Sequence, residues 1–271
     1  MSIRALENEL GAPLFLREGR TVRLSPAGEA LLPEARRVLS ALRDARGVID
    51  EARGVLRGPL GIGFAQTYES PGPLALLLGR FHREHPEVEI RVFQGPGRAG
   101  YEALRKGEID ITVGGRSPDL PASVGRIPLR RVPFRFVCAP TCPLSERDSI
   151  SLAEAVTEPF IDLTSDWSAR RIVDRALTQA GLARSTRCEV NEVWTLLELV
   201  EQGLGVAIIP EMFGAVPMDV RHVPLDPRMQ DFELIAAFLG RTPESATARA
   251  FLALLTREMM GRELTSAPPE D

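Results

Sequence analysis

Apolar residues Leu31, Ala35, Val38, Leu42, Ala45, Ile49, Ala52 and Leu56 recur at alternating spacings of four and three. That heptad pattern keeps one apolar seam on one side of a helix. Arg36, Arg37, Arg43, Asp44, Arg46, Asp50, Glu51 and Arg53 stand between them, so the other face is solvated. The pattern predicts a helix over residues 26–57, roughly 45 Å long at ~1.5 Å per residue. Such a helix cannot cover its own seam and needs a partner helix. Leu31, Val38, Leu42, Ile49 and Leu56 are therefore the expected dimerisation residues.

Ahead of it, Ile3, Leu6 and Leu10 have helical spacing and Gly11 can stop that helix in a left-handed turn. Residues 17–24 read as a short hairpin with Glu18 and Gly19 at its tip, and Ser25-Pro26 as the N-cap and first residue of the long helix. Beyond Gly58-Pro59 the pattern changes to alternating strand and helix, the signature of an α/β fold. Strands are expected at 60–65, 87–93, 109–113, 134–139, 160–163, 186–190, 205–210 and 232–239, with His222 on a further one. Helices are expected at 72–85, 99–106, 151–156, 168–180, 193–202 and 245–260, the last with Ala248, Phe251, Leu252 and Leu255 inward. The tail, 265–271, reads as disordered.

The chain has 271 residues, 44 % of them hydrophobic, enough for two lobes with their own cores. Its formal net charge of −4 is unevenly spread. Residues 1–58 carry ten arginines against eight carboxylates, while the remainder is acidic. A mildly basic head on an acidic body permits a DNA-facing end and a small-molecule-facing end. Three cysteines, an odd number, argue against a disulfide framework. No stretch of 18 apolar residues and no charged-then-apolar leader is present, so a cytoplasmic chain with no membrane contact is expected.

The run S-I-R-A-L-E-N-E-L-G-A-P-L-F, continued by R-x-G-R-x-V-x-L-S-P-A-G-E-A-L-L, resembles the second half of the winged helix-turn-helix of LysR-type transcriptional regulators. The phrases F-x-x-x-H-P-x-V-x-I-x-V, L-x-x-G-x-I-D-I-x-V and E-Q-G-L-G-V-A-I-I-P-E resemble that family's effector domain. The resemblance implies a partial winged helix-turn-helix (1–25), a linker helix (26–57) and two Rossmann-like α/β lobes of the periplasmic-binding-protein type. The first lobe would hold 59–133 plus 228–264, the second 134–227. It implies Ser2 and Arg4 on the recognition helix and Arg17, Arg20 and Arg23 on the wing, partnering double-stranded DNA. About thirty residues that the family carries before this point are absent, so this chain is expected to bind DNA less well than a longer one. The family further implies a homodimer or homotetramer and a small-molecule effector.

In open α/β sheets ligands bind beyond the carboxyl ends of strands, where helix N-termini offer N–H groups. That rule selects Thr67 and Tyr68, Gln94 and Gly95, Gly114 and Arg116, Thr164 and Trp167, and Asn191 and Val193. Thr67 can hydrogen-bond a carboxylate, Arg116 can neutralise it and Trp167 can supply an aromatic wall. An anionic effector is therefore expected.

Catalytic and metal chemistry find little support. His82, His85 and His222 are scattered, and Cys138 and Cys142 have no second pair to complete a zinc set. No nucleophile elbow, P-loop or complete dinucleotide motif follows a strand, so neither cofactor nor metal is expected. Two other classes remain open, a stand-alone solute-binding protein of the same two-lobed fold and an enzyme on two α/β lobes. The missing leader and the long heptad helix weigh against the first, and the lack of a convergent nucleophile and base against the second.

Overall fold

The computed structural model describes residues 2–18, 21–52, 55–64, 73–117, 120–121, 123–213 and 217–263. The head is a helix, α1 (Ile3–Leu10), and a hairpin of β1 (Phe15–Glu18) and β2 (Thr21–Leu24). Ser2 caps α1 by accepting from the Ala5 amide at 3.3 Å, and Gly11 ends it at φ 65°, where a side chain would be strained. Ser25 is buried, donates to the Pro13 carbonyl at 2.5 Å and accepts from the Gly28 amide at 3.0 Å. One residue thus pins the hairpin to the start of α2 (Pro26–Ala52) and caps it.

Helix α2 ends earlier than the heptad pattern predicts. Leu56, expected as its last seam residue, lies outside the helix and packs against the core of the body. Val38, Leu39 and Leu42 are 61 %, 58 % and 60 % exposed, whereas Leu31 is half-buried. The side chain of Ile49 lies outside the described residues.

The body holds two sheets. The first has the order β4-β3-β5-β12-β6, built from β3 (Gly58–Phe64), β4 (Val88–Gln94), β5 (Ile111–Gly115), β6 (Val124–Val132) and β12 (Phe232–Leu239). Strands β3, β4 and β5 are parallel, and β12 runs antiparallel to both β5 and β6. Helices α3 (Pro73–Glu84), α4 (Gly97–Arg105) and α8 (Ala246–Glu263) accompany it. Thr247 of α8 donates to the Pro59 carbonyl of β3 at 3.0 Å, and Phe251 meets Phe81 edge-on at 5.4 Å.

The second lobe comprises β7 (Phe134–Cys138), α5 (Leu152–Ala155), β8 (Phe160–Leu163), α6 (Ser168–Gln179), β9 (Thr186–Val190), α7 (Val193–Glu201), β10 (Ala207–Pro210) and β11 (Arg221–Pro224). Strand β7 lies between β10 and β11, and β8 pairs with β9 in parallel. A bridge between Phe160 and Val206 joins the two sets. The resulting order, β9-β8-β10-β7-β11, repeats that of the first lobe with the same strand directions. Strand β12 returns the chain to the first sheet, and β6 is a strand that the hydrophobic pattern did not predict.

Candidate functional site

Parallel pairing brings the carboxyl ends of β4, β3 and β5 level, with Phe64 opposite Gln94 on one side and Val113 on the other. The end of β5 faces the start of α6 across the lobes. A Cβ on Gly115 would lie 2.1 Å from Ser168 Oγ and 2.4 Å from the Phe232 ring, so only glycine lets the lobes meet this closely. Tyr101 of α4 donates from its hydroxyl to the Gly115 carbonyl at 3.1 Å. Burial pushes that phenol up to about 12, opposed by the positive charge of Arg171. Tyr101 is thus a neutral donor at physiological pH.

Arg171 of α6 reaches the first lobe, where its Nη2 donates to Ser117 Oγ at 3.1 Å. Its Nε is buried and, among the described residues, has no hydrogen-bond partner. Ser117 and Ser168 are themselves buried, and α6 starts with no side-chain cap and no acidic residue in its first turn. Strand ends, hydroxyls, a helix N-terminus without a side-chain cap and one cation therefore meet at the contact between lobes. Helix N-termini and cations both favour an anion.

The residues expected from the sequence fall differently about this contact. Thr67, Tyr68 and Arg20 lie outside the described residues, as does the hairpin tip at Gly19. Gln94 is exposed at the end of β4, and the Gly95 amide donates to the Phe64 carbonyl at 3.3 Å. Gly114 is buried inside β5 opposite Ile235, because the strand continues to Gly115 instead of stopping at Val113. Arg116 is paired. It donates to Glu233 at 2.9 Å and its amide donates to the Glu233 carbonyl. Its hydrogen bond, aided by Arg131 and opposed by burial, holds the Glu233 carboxyl below the usual range.

Trp167, expected as a cleft wall, is only 2 % exposed and occupies the N-cap position of α6 without a side-chain cap bond. Its indole donates to the Asn191 carbonyl at 3.2 Å, and its ring meets Phe213 edge-on at 6.1 Å. Phe213 in turn meets Phe232 at 5.6 Å and Phe232 meets Phe134 at 6.2 Å, so Trp167 belongs to an aromatic core that spans both lobes. Val193 is fully buried at the start of α7. Thr164 is half-buried with its amide on the Val190 carbonyl, and Asn191 is exposed beside it. The pattern missed Ser117, Ser168 and Arg171, none of which has a local signal of its own.

In the head, Arg4 and Arg23 are exposed, and Arg23 stands opposite Leu16 while Arg17 stands opposite Val22. Among the described residues no group of histidine, cysteine and carboxylate side chains could hold a metal, and no helix is long and apolar enough to cross a membrane. The Cys138 thiol is pushed up to about 12 by burial and then by the neighbouring Cys142, which leaves no thiolate near neutral pH.

Two family models match the chain. The LysR substrate binding domain matches residues 53–260, and the bacterial regulatory helix-turn-helix protein, lysR family, matches residues 1–29. The HTH-type transcriptional regulator IlvY of Escherichia coli (strain K12) is 31 % identical over 212 residues, 78 % of this chain and 71 % of that protein. The HTH-type transcriptional regulator ShiR of Corynebacterium glutamicum is 32 % identical over 232 residues, 82 % of this chain and 76 % of its own. Among solved structures, full-length OxyR from Pseudomonas aeruginosa superposes with a TM-score of 0.72 at 24 % identity, over 95 % of this chain and 83 % of that one. The effector binding domain of QuiR in complex with shikimate gives 0.68 at 20 % identity, over 76 % and 98 %. These two show the same fold.

Proposed function

This chain belongs to the LysR family of transcriptional regulators, and on that premise we propose that it senses a small molecule between its lobes and passes the signal to DNA through an oligomer. The observation that carries this reading is the contact between Gly115 at the end of β5 and Ser168 at the start of α6. It lies where the lobes meet, at the strand ends that bind ligands in such sheets. Gln94, Gly95, Thr164 and Asn191 would rim the site. QuiR, a neighbour in fold, is described with shikimate, which supports a small molecule as the effector. Ser2, Arg4, Arg17, Arg20 and Arg23 would face double-stranded DNA, and the setting is the cytoplasm.

The exposed Val38, Leu39 and Leu42 on α2 are the surface through which two chains would pair. Light scattering tests this against a Val38→Asp, Leu42→Asp double variant. The unaltered chain is expected as a dimer or tetramer, and the variant as a smaller species with an unchanged far-ultraviolet spectrum. Monomers in both samples would remove the oligomer from the mechanism. A thermal-shift screen of small metabolites tests the cleft, with at least one compound expected to raise the midpoint of both chains.

A further inference from the structure

Arg170 and Arg171 are neighbours in sequence with opposite surroundings. Arg170 meets Asp174 at 2.9 Å, Glu189 at 2.8 Å and Asp162 at 3.8 Å, and donates to the Leu163 carbonyl. Arg171 has no carboxylate within salt-bridge distance among the described residues. Its hydrogen bond to Ser117 uses Nη2, while Nε–H is shut away with no acceptor. Native structures seldom bury a charged donor unmatched without a use for it.

The groups around it point to that use. Ser168 is 5 % exposed, and its hydroxyl makes no hydrogen bond among the described residues. The first-turn amides of α6 face the same contact with no side-chain cap. Ser117 contributes a second hydroxyl, which accepts from Arg171, while the Tyr101 hydroxyl is committed to the Gly115 carbonyl. A cation, two serine hydroxyls and a helix N-terminus, with no carboxylate in salt-bridge reach of the cation among the described residues, form a cradle for negative charge.

We propose that Arg171 is the anchor for an anionic group, carboxylate or phosphate, on the effector, with Ser117, Ser168 and the start of α6 completing the cradle. This rests on the cleft reading above and names its ligand class. The Nε–H and Nη2–H edge of a guanidinium presents two parallel donors that fit two oxygens of either group. Because Nε is closed off from solvent, the anion enters when the Gly115–Ser168 contact parts and replaces it on closure. Arg116 is not the anchor, since Glu233 already holds its charge.

The test uses the full chain with benzoate, inorganic phosphate and the uncharged benzamide at millimolar concentration. Thermal midpoint and tryptophan emission are both read, the latter because Trp167 adjoins Ser168. Benzoate or phosphate is expected to raise the midpoint and alter the emission in the unaltered chain and in Arg116→Gln, while benzamide does neither. In Arg171→Gln the apparent affinity for the responding anion should fall roughly 10-fold or more, as for a lost charge-assisted bond. Which anion responds separates a carboxylate ligand from a phosphorylated one. An undiminished anion response in Arg171→Gln makes Arg171 a mere clamp between lobes and overturns the proposal, as does silence toward both anions. Equal stabilisation of the unaltered chain and Arg171→Gln by benzamide means the cleft binds a ligand without an anion anchor. In that case only this proposal falls.

Discussion

The head with its helix and the two-sheet body solve the problem of apolar surface in different ways. The body buries most of it, with Leu60, Ile62, Phe136, Phe160, Leu197 and Phe251 all inaccessible to solvent and Leu76, Val92, Phe93 and Leu204 left exposed. Between Ser2 and Leu42 the large apolar side chains Ile3, Leu10, Leu16, Val22, Val38, Leu39 and Leu42 are exposed, and α1 buries none of its residues. Only Leu14 and Ser25 anchor that region by deep burial among the described hydrophobic and polar side chains. The body's stability therefore comes from its own packing, whereas the head carries surfaces that await another molecule.

Core truncation is the strongest way to break that contrast. Phe251→Ala removes a ring that packs on Phe81 and is expected to cost about 3–5 kcal/mol in urea unfolding. Leu39→Ala on α2 should cost under about 1 kcal/mol when measured on the monomeric form. Equal losses would mean that α2 is packed as tightly as the body. Ser25→Ala comes next, at about 1 kcal/mol. Because Ser25 ties Pro13 to Gly28, proteolysis of the hairpin should quicken while the unfolding of the body stays put.

The smallest effect concerns acid. The folded state holds the Glu233 carboxyl below its ordinary 4.5, so its contribution is full above that value and is lost as pH falls through the lower folded one. Glu233→Gln should flatten that stretch of the acid-unfolding curve, read by circular dichroism, and a change confined to the head should leave it alone.

Much of the fold was legible in the residues. Strands β8, β9 and β12 begin and end where the pattern places them, because short apolar runs bounded by polar turns admit few other readings. Strand β6 was not legible, since Arg126, Pro128, Arg130 and Arg131 interrupt its apolar rhythm. An edge strand tolerates this: β6 pairs only with β12, and its register shifts between Leu234 and Ile235, next to Pro128. The site was legible as a place but not as a set of side chains. Arg116 looked free because Glu233 is 117 positions away in the chain. Nothing local separates Arg170 from Arg171, because Leu163, Glu189 and Ser117, which tell them apart, come from outside α6. Trp167 looked like a wall because the Phe213–Phe232–Phe134 rings that enclose it come together only in the folded chain.

Arg36 of α2 reaches the turn between α4 and β5, bonding the Lys106 carbonyl and, at 2.9 Å, Glu108. Both side chains are more than a third exposed, so the pair is worth at most about 1 kcal/mol, within reach of thermal agitation. Mechanically this is a clutch and not a weld. It grips at low ionic strength and slips as salt shortens the reach of charge, so how firmly the first lobe holds the long helix at this point depends on the ions around it.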